Sequence, residues 1–159
     1  MFYGILAGFA ALVVVLDQFT KYLTVSRIPL GTTVPAVPGV FQLTYVQNTG
    51  MAFSMLEGKR WFFLIITLAA LALMVLAVRK KWVTHPLGLW ALAAIAGGAV
   101  GNLSDRVRLG YVVDMIEVTF MKFAVFNVAD CFVVCGAIAL AVQVFLEERA
   151  EGKKHDSAG

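Results

Sequence analysis

Residues 61–78, WFFLIITLAALALMVLAV, carry no charge and a single polar side chain, Thr67. A run of that length and composition crosses the hydrocarbon core of a bilayer as one helix. No lipid-exposed alternative satisfies its backbone N–H and C=O groups. Three more apolar runs, at 2–25, 87–103 and 128–146, have the same property. The expected fold is therefore an all-α membrane protein with four transmembrane helices. It forms one integral membrane domain over 1–159, with a polar, frayed tail at 147–159. Composition agrees, since 60% of the residues are hydrophobic, only 14% are charged, and mean hydropathy is +0.84. Soluble domains carry about 25% charged residues. A net charge of +3, with lysines and arginines grouped beside apolar runs, suits membrane flanks and gives no reason to expect nucleic acid.

The N-terminal MFYGILAGFAALVVVLD has no basic leader and no small-residue cleavage site, so it reads as an uncleaved first span. Cys131 and Cys135 lie four apart in an apolar run without the His or Cys needed for a metal set; they read as small buried hydrophobes. His85 in a short loop and His155 in the tail are assigned no chemistry. No metal and no cofactor is expected.

Two segments interrupt the spans. Residues 26–60 contain Pro29, Pro35, Pro38 and the alternating stretch VFQLTYVQN; residues 106–127 contain the equally strand-like GYVVDMIEVTF. Four spans place both segments on one side of the membrane. Both termini and the 79–86 loop fall on the other. The consecutive Arg79, Lys80 and Lys81 directly abut a span, which by the positive-inside rule marks the terminal side as cytoplasmic.

The polar residues without a solvent role then collect at one face. Asp17 and Lys21 lie late in the first span. Asn102, Asp105 and Arg106 close the third, Asn127 and Asp130 open the fourth, and Asn48 and Asp114 occupy the two segments. Ionisable groups at such depth are costly and mark function by default. Structural roles exist for several: Asp17 and Lys21 can neutralise each other as an i,i+4 pair, Asp105 can pair with Arg106 or Arg108, and Gly97 and Gly101 fit close helix packing. Asp114 and Asp130 are harder to explain so, because no Lys or Arg lies within three positions of either. Asn127, three residues before Asp130, can orient its carboxylate from the same helix face. Two acids in a poorly hydrated site share one proton; the anion can take a proton from water while the acid donates to a carbonyl. A proton-coupled transporter or small channel also places acids between helices, and a non-enzymatic membrane subunit is a third possibility. The absence of internal symmetry and the large segments on one face favour the hydrolase.

These residues fall in four ordered blocks: DQFTK at 17–21, VQNTGMAFS at 46–54, GGAVGNLSDRVRLGYVVDMI at 97–116 and FNVAD at 126–130. Together they resemble the bacterial lipoprotein signal peptidases, or signal peptidase II, over nearly the whole chain. The resemblance implies an intramembrane aspartyl peptidase of the bacterial inner membrane. It would remove the signal peptide from diacylglyceryl-modified prolipoproteins just before the lipid-modified cysteine. It implies Asp114 and Asp130 as the catalytic pair. Asp17, Lys21, Asn48, Gly50, Asn102, Arg106 and Asn127 would support the site or hold substrate. It further implies a small β-structured extracytoplasmic cradle, a mobile cover segment, cytoplasmic termini, an active site near the outer face, and inhibition by the cyclic peptide globomycin. Membrane lipid would surround the protein, which is expected to be a monomer. Met51 and Ser54 depart from the family's small residues at those positions.

Overall fold

The computed structural model describes residues 1–50 and 59–156, with side chains through Arg149. The elements are α1 (Phe2–Arg27), β1 (Thr33–Val37), β2 (Phe41–Asn48), α2 (Arg60–Arg79), α3 (Pro86–Arg108), β3 (Val112–Val118) and α4 (Val128–Asp156). All four helices are long and apolar enough to span a membrane. The strands form one antiparallel sheet in the order β1-β2-β3. The expected four-helix membrane fold with a small β-structured cradle is what the chain adopts. Positions 51–58, where Met51, Ser54 and part of any cover segment fall, lie outside the described residues.

One boundary extends the sequence reading and another corrects it. Helix α3 outruns its apolar stretch at 87–103, carries the expected closing residues Asn102, Asp105 and Arg106, and ends at Arg108, closed by Leu109 N–H on the Asp105 carbonyl at 2.7 Å. Its polar residues stay helical because their side chains bond to other elements instead of competing for their own backbone. Helix α4 does not fray at 147 but continues to Asp156, since Glu, Arg, Ala and Lys past the apolar run are strong helix formers and no proline intervenes. The unanticipated β1 is wholly exposed at the sheet edge, where Pro35 is tolerated.

Helix α3 is central and packs on α1, α2 and α4. Its buried Gly88, Ala91 and Gly98 face Gln143, Gly136 and Ala129 of α4, which recur every seven residues. Glycine permits the close approach. A Cβ at Gly97 would meet the Ala10 carbonyl of α1 at 2.8 Å, and one at Gly136 the Ala91 carbonyl at 2.9 Å. The tightest contact is made by Gly98, outside the anticipated Gly97/Gly101 spacing: its Cβ would press on the Ala129 carbonyl oxygen and lie 2.8 Å from Val133 Cγ2. Gly98→Ala should therefore force α3 and α4 apart and destabilise by about 1–3 kcal/mol. Gly4→Ala, with nothing within 4 Å of the added methyl, should be neutral. Thermal unfolding of the two variants in detergent checks the contrast.

Two polar residues at the other membrane face also have structural roles. His85 caps α3, its Nδ1 accepting from Leu87 N–H at 3.2 Å. Gln143 is buried against Gly88, and its Oε1 has no partner among the described residues.

The sheet positions one acid. Strand alternation sends Val113 and Met115 into a buried cluster with Ile28 and Tyr45, leaving Val112 and Asp114 on the opposite face. The chain then doubles back, with Phe126 exchanging hydrogen bonds of 3.0 and 2.8 Å with Ile116. That return brings Asn127, the N-cap of α4, alongside Asp114.

Candidate active site

Three asparagine amides hold two carboxylates. Asn127 Nδ2 donates to Asp114 Oδ1 at 2.6 Å, and Asn48 Nδ2 donates to Asp114 Oδ2 at 2.8 Å. Asn102 Nδ2 donates to Asp130 Oδ1 at 2.8 Å. The remaining Asp130 oxygen accepts from Asn127 N–H at 3.1 Å, while Asn127 Oδ1 accepts from Asp130 N–H at 2.9 Å. This reciprocal pair is a capping box, with Asn127 at the N-cap and Asp130 at the third helical position. Sequence spacing had put the Asn127 amide on Asp130 from within the helix. The structure corrects this, because Asn127 stands outside the helix, orients Asp130 through backbone groups and spends its NH2 on Asp114.

Each amide is turned by a donor on its oxygen side. Asn48 Oδ1 accepts from Gly50 N–H at 2.9 Å, and Asn102 Oδ1 accepts from Lys21 Nζ at 2.8 Å. Lys21 is buried and also pairs with Asp17 Oδ2 at 2.8 Å and Asp105 Oδ2 at 2.9 Å. Asp105 is thus bound to Lys21, not to either arginine as expected. The i,i+4 pairing of Asp17 and Lys21 is real but serves more than neutralisation. Asp17 Oδ1 accepts from Ala129 N–H at 2.9 Å, satisfying one of the free amides at the start of α4. Gly101 leaves the room for this, since a Cβ there would sit 2.6 Å from Asp17 Oδ2.

The remaining expected residues, Gly50 and Arg106, bond to each other. Arg106 donates to the Gly50 carbonyl at 3.1 Å and lies 4.8 Å above the Phe63 ring. Gln18 and Asp105 were not among the anticipated site residues, although both stand in the quoted blocks. Gln18 Nε2 donates to Asp105 Oδ1 at 2.9 Å and to the Gly101 carbonyl at 3.2 Å. Asp105 Oδ2 also accepts from Val113 N–H at 3.2 Å, tying β3 to the bundle next to Asp114.

Asp114 and Asp130 line one cavity of about 480 Å³, together with Asn48, Asn127 and a mostly apolar wall that includes Phe123, Val125 and Val134. Cys131 and Cys135 belong to that wall as well. They are half-buried and exposed rather than buried hydrophobes, because they fall off the buried Ala129–Gly136–Gln143 stripe of α4. Burial pushes the Asp114 carboxyl up from 3.8 to about 6, and the Asp130 charge adds to the rise against the Asn48 and Asn127 amides. The folded state therefore holds this proton at pH values where the unfolded chain has lost it. That contribution to stability is complete below pH ~4 and is lost as pH rises through about 6. Relative to Asp114→Asn, the wild type should lose about 3 kcal/mol across this window. Thermal unfolding of both proteins between pH 4 and 8 measures it.

Known proteins share this architecture. A solved bacterial membrane enzyme superposes with a TM-score of 0.87 at 31% identity, covering 91% of this chain and 90% of its own. A second gives 0.82 at 32% identity, over 89% and 92%. The lipoprotein signal peptidase of Enterococcus faecalis is 46% identical over 91% of each chain. That of Streptococcus pyogenes is 45% identical over 86% of this chain and 90% of its own. The family model for signal peptidase (SPase) II matches residues 9–146, and the chain belongs to that family.

Proposed function

We propose that this chain is a membrane aspartyl endopeptidase that removes the signal peptide from diacylglyceryl-modified bacterial prolipoproteins, cutting just before the lipid-modified cysteine. Four membrane-spanning helices and the signal peptidase II family fit a multi-pass protein of the bacterial inner membrane. The observation that carries the mechanism is the pair Asp114 and Asp130, bridged by Asn127 in one apolar-walled cavity.

With one proton between them, the ionised carboxylate takes a proton from water as its oxygen attacks the scissile carbonyl carbon. The neutral acid donates to the carbonyl oxygen. The tetrahedral intermediate then collapses as the acid formed in the first step gives its proton to the leaving amine, while the other carboxylate regains a proton from a hydroxyl of the intermediate. No covalent bond to the enzyme forms. Asn48, Asn102 and Asn127 keep the carboxylates aimed; Asp17 and Lys21 keep the helices that carry them in register. Arg106 and Gly50, bonded to each other beside Asn48, hold substrate backbone, and Phe123, Val125 and Val134 receive apolar parts of the substrate. The termini lie in the cytoplasm and the acids near the outer face, where a globomycin-type cyclic peptide would occupy the same cavity.

The test is a gel-shift assay with purified protein, comparing diacylglyceryl-modified prolipoprotein with its unmodified precursor. Cleavage of the lipidated form alone is expected. Failure to cut it, or equal cutting of both, would overturn the assignment. Cys131 and Cys135 have no place in this chemistry, so Cys131→Ala with Cys135→Ala should keep turnover within about twofold in the same assay.

A further inference from the structure

Far from the two acids, at the membrane face that carries the chain termini, α1, α2 and α3 enclose a second groove of about 360 Å³. Its walls are apolar, with Leu6, Ala10, Met74, Val78 and Leu92 among them, and Arg79 stands among its lining residues. Helix α3 contributes from Leu89 to Ala96, about 10 Å along its axis. The groove exists because α2 packs chiefly on α3 and buries only Phe63 and Leu64, both near its other end. In a bilayer such a groove fills with hydrocarbon, since an empty one forfeits dispersion contacts on every wall.

Its mouth has a headgroup's chemistry. Tyr3 also lines it, and Trp82 follows three residues after Arg79; both aromatics are exposed. Tyr and Trp so placed mark the depth of the lipid headgroups. Arg79, Lys80 and Lys81 are consecutive and exposed, and none forms a salt bridge among the described residues. The helix C-terminus and the positive-inside rule favour cations at this flank; what sets this cluster apart is the chain-shaped groove that Arg79 itself lines.

We propose that this groove binds one acyl chain of an anionic phospholipid, with Arg79 paired to its phosphate and Lys80 and Lys81 compensating the headgroup charge. The bound lipid fastens the distal half of α2 to α1 and α3. This site is separate from the acid pair and does not depend on the proposed peptidase activity.

Native mass spectrometry and thermal unfolding in mixed micelles test it, using phosphatidylglycerol and phosphatidylcholine of identical chains as probes. Wild type should retain one phosphatidylglycerol preferentially and unfold at a saturably higher temperature with it. Arg79→Gln, at an exposed position, should lose about fivefold of that preference, the value of one juxtamembrane cation. Ala93→Phe or Ala7→Phe, each filling the groove from a different helix, should abolish retention. An unchanged lipid preference in Arg79→Gln overturns the proposal, as does undiminished retention in a groove-filled variant that still unfolds cooperatively.

Discussion

Asp114→Asn and Asp130→Asn should each lower cleavage of lipidated prolipoprotein by at least about a thousandfold, while the protein stays folded. The magnitude is that of removing an essential acid or base, about 4 kcal/mol of transition-state stabilisation. An amide neither takes a proton from water nor gives one to a carbonyl. The fold tolerates the change because Asn keeps the shape and one acceptor. At 114 it loses one of the two bonds from Asn48 and Asn127, worth about 1 kcal/mol. The double variant should be no slower than either single one, because groups acting as a unit fail together. Cleavage within tenfold of wild type by either single variant would remove that acid from the mechanism. A merely supporting residue should behave differently. Asn127→Ala removes the amide bond to the Asp114 carboxyl and the cap on the Asp130 N–H, but keeps the backbone N–H bond to the Asp130 carboxyl and leaves both acids able to titrate, so its loss of rate should be smaller.

Lys21→Met should destabilise the protein by about 3–5 kcal/mol, the cost of stranding buried charge, and lower its unfolding temperature by roughly 10 °C. Lys21 is 3% exposed, while Asp17 and Asp105 are 0% and 2% exposed. Removing the ammonium leaves two carboxylates facing each other with only neutral donors: Gln18 for both, Ala129 N–H for Asp17 and Val113 N–H for Asp105. Asp105→Asn added to Lys21→Met should recover part of the loss by removing one stranded charge. Unfolding curves of the single and double variants decide this. An unchanged midpoint in Lys21→Met would mean that both carboxylates hydrate freely. The substitution also releases the Asn102 carbonyl, so activity should fall further than stability alone explains.

The spans were legible because lipid forces composition and length together, and the polar cluster because nothing apolar explains charges at one depth. The partners were less so. Asp105 lies beside Arg106 in sequence, yet Lys21 from another helix reaches it first, a matter of packing that no local spacing records. Gly98 was hidden by its neighbour Gly97, since which of two adjacent glycines faces which helix depends on the rotation of α3. The capping role of Asn127 was available in principle: Asn followed three residues later by an acid, before an apolar run, is a helix-start pattern. The cysteines went astray for a simpler reason. In a membrane protein an apolar run has no single inside, and Cys131 and Cys135 fall off the α4 stripe that meets α3.

The bond from Ala129 to Asp17 has a consequence for the order of events in the cell. Synthesis delivers the first helix early and the fourth last. Until they meet, the opening turn of the fourth helix lacks the carboxylate that accepts its Ala129 N–H. That turn also carries Asp130. A partly made chain therefore has one acid without its seat, and the proposed cutting centre comes into being only with the completed bundle.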